Sequence, residues 1–189
     1  MQTTLNEIRK HQPCADGWEK LLTYLGKTKA DDEPLSLVTI IDSNGLDDAI
    51  WCLRAVAGRD REIRLFAVWC ARQVQHLLKD QRSLDAIDVA ERYANGQATK
   101  DELATAAEDA RFTVCDAAMD AAWYAAYAAK YDAWAAYYAA AEARSAARYA
   151  ARDAADAAGE AAGAEREMGI RQEAKLRRIC EKFSGVIQI

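Results

Sequence analysis

DAAMDAAWYAAYAAKYDAWAAYYAAAEARSAARYAARDAADAA, residues 116–158, decides how this chain folds. At about 100° per residue the large side chains gather on one side of a helical wheel. Met119, Trp123, Tyr124, Tyr127, Tyr131, Trp134, Tyr137 and Tyr138 come first, followed by Glu142, Arg144, Arg148, Tyr149, Arg152 and Asp156. The opposite half is nearly pure alanine, from Ala118, Ala121 and Ala125 through Ala140 and Ala143 to Ala154 and Ala158, with Asp132 alone in its middle. Alanine loses no side-chain entropy on entering a helix. A surface of single methyl groups also lets a neighbouring helix come to the near end of the usual ~8–10 Å spacing. A single rod of about 43 residues would run roughly 65 Å, against a diameter near 40 Å for a compact domain of this length. Asp is a good N-cap. A break near Lys130–Asp132, folding the stretch into two antiparallel helices with their alanine faces together, is therefore preferred over the rod.

The rest of the chain agrees with an all-α fold, a multi-helix bundle of antiparallel hairpins with the closely packed alanine-rich hairpin in its C-terminal half. The 189 residues fit one domain. Within it, 1–97 reads as short helices with a mixed core, 98–158 as the alanine-rich hairpin, and 159–189 as a charged terminal helix and tail. The only two prolines, Pro13 and Pro34, lie early, which leaves the rest free for long helices. The net charge of −5 argues against nonspecific nucleic-acid binding, which needs a basic face, and suits a basic partner. Charges interrupt every apolar run before the ~18 residues of a membrane span, and Met1–Lys10 is too polar for a signal peptide. The five cysteines are scattered without a CxxC, so they read as reduced, buried thiols of a cytoplasmic protein.

Taken in order, Met1–Gly17 reads as a loose lead-in with a short helix over Leu5–Arg9. Trp18–Leu25 is an amphipathic helix stopped by Gly26, and Lys27–Pro34 a charged loop. Leu35–Ile41 has strand-like composition but no partner strand in view, so it reads as helical. Leu46–Val56 and Arg61–Lys79 follow as helices that share an echo, Trp-Cys-x-Arg-x-Val, at Trp51–Val56 and Trp69–Val74. Trp and Arg three apart are neighbours on a helix surface, which predicts a guanidinium lying over each indole. Ser83 is the expected N-cap of a helix to Ala94 with Leu84, Ile87, Val89 and Tyr93 inward. Thr99-Lys-Asp-Glu102 is a capping box. Ala164–Phe183 is the terminal helix, with an interruption expected at Gly169.

Catalytic chemistry is hard to find. No GxSxG, P-loop or GxGxxG occurs, and only His11 and His76 are available as imidazole bases. His11 and Cys14 lack a second ligand pair for zinc. Asp42, Asn44, Asp47 and Asp48 crowd together without the register of a calcium loop. No cofactor is expected, and the chain reads as non-enzymatic.

Two blocks carry a resemblance. One is Arg64-Leu-Phe-Ala-Val-Trp-Cys-Ala-Arg72, continuing to Gln75-His-Leu-Leu78. The other is Arg82-Ser-Leu-Asp-Ala-Ile-Asp-Val-Ala-Glu-Arg-Tyr-Ala-Asn-Gly96, followed by alanine-rich helices. Together, over roughly Leu46 to Ala158, the chain resembles an all-helical immunity-protein family of bacterial toxin–immunity loci and phages. That resemblance implies a stoichiometric inhibitor of a toxin, or of a host-defence effector in the manner of an anti-CRISPR. The aromatic stripe is too wide to bury whole, so Tyr124, Tyr131 and Tyr138 are expected at the partner surface, since Tyr, Trp and Arg anchor interfaces. The acidic residues Asp31, Asp32, Glu33, Asp47 and Asp48 are expected to speed encounter with a basic target. The alternative is a small-ligand or nucleotide-binding module gripping an anion with Arg144, Arg148 and Arg152, spaced i, i+4, i+8. A homodimer through the alanine face stays open.

Overall fold

The computed structural model describes residues 1–111, 124, 138–146 and 158–183. The fold is all-α, with one two-residue strand pair, and the chain divides into two compact units. The first comprises Met1–Arg59 and the chain from Glu173; the second comprises Asp60–Gln172. No helix among the described residues is long and apolar enough to cross a membrane.

The start of the first unit is tied down rather than loose. β1 (Gln2–Thr3) pairs antiparallel with β2 (Leu35–Ser36), so the strand-like composition at Leu35 does find a partner far upstream, in register Gln2 to Ser36 and Thr3 to Leu35. A pairing so short and so distant carries no periodicity to read. Thr3 Oγ1 donates to the Ala55 carbonyl, and the side chain is buried. α1 (Leu5–Lys10) is capped by Thr4, whose hydroxyl accepts from the Glu7 N–H, and it buries Leu5 and Ile8. α2 (Ala15–Leu25) ends on Gly26 at φ 64°, a left-handed stop that favours glycine. Ser36 then caps α3 (Leu37–Asn44), and α4 (Leu46–Cys52) passes into a 3₁₀ turn over Leu53–Ala55. α3 packs against both α2 and α4.

In the second unit α5 (Asp60–Val74) packs on α6 (Gln81–Ala94), and α6 packs on α7 (Lys100–Arg111). The cap of α6 is Asp80, whose carboxylate accepts from the Arg82 N–H; Ser83 lies inside the helix and is fully buried. The inward face of α6 is Ser83, Ala86, Ile87, Ala90 and Ala94, while Leu84, Val89 and Tyr93 stay half-exposed. A helix packed against two neighbours turns its smallest side chains to the tight contacts. α7 repeats the device with Leu103, Ala106, Ala107 and Ala110. Its capping box forms as expected: the Thr99 N–H donates to Glu102 at 2.7 Å, and the Glu102 N–H to the Thr99 hydroxyl at 3.2 Å.

Within the alanine tract, 138–146 is helical and buries Ala139, Ala140, Ala143 and Ala146. Tyr124 and Tyr138 stack with ring centroids 5.0 Å apart. The break near Lys130–Asp132 falls outside the described residues, as do Ala118, Ala121, Ala125, Ala136 and Ala147. α8 (Ala158–Lys182) runs without interruption through Gly159, Gly163 and Gly169. Its buried positions are Met168, Gln172, Leu176 and Cys180, a strict i+4 row, and Ile170 stands 62% exposed off that row.

Candidate binding surface

The residues that the sequence grouped as partner-binding differ in exposure and in pairing. Lys27 Nζ sits 2.6 Å from both Asp31 and Glu33, so two of the three loop carboxylates are neutralised from within their own loop. That bond to Lys27 also holds the Asp31 carboxyl below the usual carboxylate range. Asp32 is exposed. Asp47 is exposed on the first turn of α4, whereas Asp48, one residue on, is half-buried and accepts from the Asn44 side-chain amide at 2.8 Å. Tyr124 and Tyr138 are half-buried against one another. Tyr131, Arg148 and Arg152 lie outside the described residues. Arg144 donates to the buried Gln172 carbonyl oxygen at 3.0 Å and so serves the helix contact.

The paired Trp-Cys-x-Arg-x-Val segments part company in a similar way. Arg54 lies over Trp51, 4.3 Å from the ring centroid, as the spacing predicts. Arg72 reaches across from α5 to α6 and bonds Asp88 and Glu91, each at 2.6 Å. The same local spacing is used once for an indole and once for an ion pair, since Arg72 finds Asp88 and Glu91 on the facing helix. Of the cysteines, Cys52, Cys70 and Cys180 are buried as expected and Cys115 lies outside the described residues; Cys14 is exposed, its sulfur accepting from the Gly17 N–H at 3.4 Å to cap α2. Burial pushes the Cys52 thiol up to about 12. Among the described residues no group of three or more His, Cys, Asp or Glu side chains is placed to hold a metal ion.

What sequence reading missed is an acidic groove on α6 and α7. Its volume is about 500 Å³, and it is lined by Arg82, Asp85, Val89, Arg92, Thr99, Asp101, Glu102, Thr105, Ala106 and Asp109. Both guanidiniums are paired: Arg82 with Asp80 at 2.8 Å and Arg92 with Glu102 at 3.7 Å. Among the described residues Asp85, Asp101 and Asp109 have no ion pair within 4 Å, and all three are exposed. Of the lining residues only Ala106 is buried; the carboxylates stand exposed around it. The signal was present in the alternation of Ala with Asp and Glu through both helices, but periodicity alone does not say that two such helices adjoin.

No family model matches the chain, and no curated protein or solved structure matches it either.

Proposed function

We propose that this protein is a non-enzymatic binding protein of the immunity type, which neutralises a toxin or a defence effector by stoichiometric occlusion. The acidic groove of α6 and α7 carries the reading. Three exposed carboxylates without ion pairs among the described residues line an open surface of about 500 Å³ on a rigid helix pair. Such a surface fits a Lys- or Arg-bearing segment of a target protein, with charge complementarity speeding the encounter. The blocks at Arg64–Leu78 and Arg82–Gly96, which carry the family resemblance, fall on α5 and α6, and α6 forms one wall of the groove. A phage-encoded version of the same surface would serve against a host-defence effector.

The test is capture of a partner by the full chain, followed by titration of the partner's own activity. The reading predicts inhibition complete at one equivalent, an association rate that falls steeply between about 50 and 500 mM salt, and loss of capture on the charge reversals Asp85→Lys, Asp101→Lys and Asp109→Lys together. Inhibition that survives the triple reversal, or a partner that remains fully active when saturated, contradicts it.

A further inference from the structure

A second concavity lies within the first unit and owes nothing to the acidic groove. It has a volume of about 370 Å³ and is walled by Ile8, Leu21 and Ile40 with the indoles of Trp18 and Trp51. That is in the size range of small-molecule sites, roughly 300–1,000 Å³, and it has their usual makeup: an apolar lining and a few convergent polar groups. The polar side is built by a relay. Ser43 Oγ donates to Asn44 Oδ1 at 2.7 Å, and Asn44 Nδ2 donates both to the Gly17 carbonyl and to Asp48 Oδ2, each at 2.8 Å. Asn44 is thereby saturated at its amide nitrogen and held in one orientation. Asp48 is held by one oxygen, and among the described residues only Asn44 donates to it.

Gly17 shows that room has been kept for this carboxylate. A Cβ there would meet Asp48 Oδ2 at 2.9 Å and Cys14 Sγ at 3.1 Å, so a side chain at position 17 would push the carboxylate aside. Among the described residues no lysine or arginine lines the cavity, and Asp48 is the one formal charge there. Arg54 stacks on Trp51 and donates through Nε to the Trp51 carbonyl at 2.8 Å.

We infer that this cavity binds a small organic cation with an apolar body, its ammonium group facing Asp48 and its body against Trp18 and the aliphatic wall. The chemistry follows from the lining. A half-buried carboxylate repels anions and favours a cation that can replace part of its lost water, and indole rings attract cations while covering apolar surface. A neutral ligand of the same shape gains the apolar contact and forgoes the charge.

The test uses three probes of one size on the unaltered full chain: phenethylamine, 2-phenylethanol and phenylacetate, followed by tryptophan fluorescence and calorimetry. The inference predicts that phenethylamine binds at least tenfold more tightly than the alcohol, and that phenylacetate does not bind measurably. Asp48→Asn keeps an acceptor for Asn44 and should erase the preference for the amine over the alcohol. Equal binding of amine and alcohol to the unaltered chain overturns the inference, as does an amine preference that persists in Asp48→Asn. Failure of all three probes to bind overturns it too. Because Asp48 lies on α4 and the acidic groove on α6 and α7, each of these outcomes leaves the partner-capture experiment independent.

Discussion

Gln172 is the residue on which the described part of the alanine tract depends most. It is 0% exposed, donates to the Ala140 carbonyl at 2.8 Å and accepts from Arg144 at 3.0 Å. A buried amide is tolerated only when its bonds are made. Gln172→Ala strands a carbonyl and opens a void, and is expected to cost about 2–3 kcal/mol. Urea unfolding at unchanged m-value would show it; a loss below about 0.5 kcal/mol would remove Gln172 from the account. No amphipathic pattern marks this residue, since a glutamine among Glu and Arg reads as surface until its neighbour is an exposed backbone of alanines. The Trp51–Arg54 contact was legible because the partners lie three apart in the sequence, across the passage from α4 into its 3₁₀ turn. The Arg72 ion pairs were not, because their acids lie on another helix. Thiol reactivity follows burial: brief alkylation of the native protein and mass mapping should find Cys14 modified and Cys52, Cys70 and Cys180 intact. Labelling of Cys52 before unfolding would contradict its burial.

Helix ends are where the elements register pH. Asp80 is held below the usual carboxylate range by its bond to the Arg82 side chain, Glu102 by the Thr99 N–H, and Asp31, in the loop after α2, by Lys27. All three folded values lie below the unfolded ones, so the unfolded chain takes up protons first as pH falls. Their stabilisation is complete above about pH 5, since unfolded carboxyls titrate near ~4, and it is lost as pH drops through the folded values. The urea midpoint should therefore change little from pH 6 to 5 and fall steadily below about 4; a midpoint that held or rose on acidification would show these bonds to be idle. The capping box at Thr99 and the glycine stop at Gly26 were readable because each signal is complete within four residues. Ser83 misled for the same reason in reverse. It sits three residues into α6, where a neighbouring helix decides that a small side chain is buried, and Asp80 takes the cap.

At the scale of the whole molecule, one preference recurs among the described residues of the second unit: methyl-sized side chains at the helix contacts, beside a few larger ones such as Ile87 and Leu103. It holds for Ala86, Ala90 and Ala94 on α6, for Ala106, Ala107 and Ala110 on α7, and for Ala139, Ala140, Ala143 and Ala146. The alanine face expected in residues 116–158 is buried at the described positions Ala139, Ala140, Ala143 and Ala146; on α6 the expected inward Leu84, Val89 and Tyr93 hid the same feature. The acidic groove and the Asp48 cavity lay beyond reading, because each depends on which elements adjoin rather than on any one helix. The most direct measurement compares Ala143→Leu with Ala174→Leu, the latter at an exposed position of α8, by urea unfolding of the full chain. Close packing at a methyl surface predicts that Ala143→Leu costs about 1–3 kcal/mol, while Ala174→Leu stays within about 0.5 kcal/mol of the parent. Equal and negligible effects at both positions would contradict it.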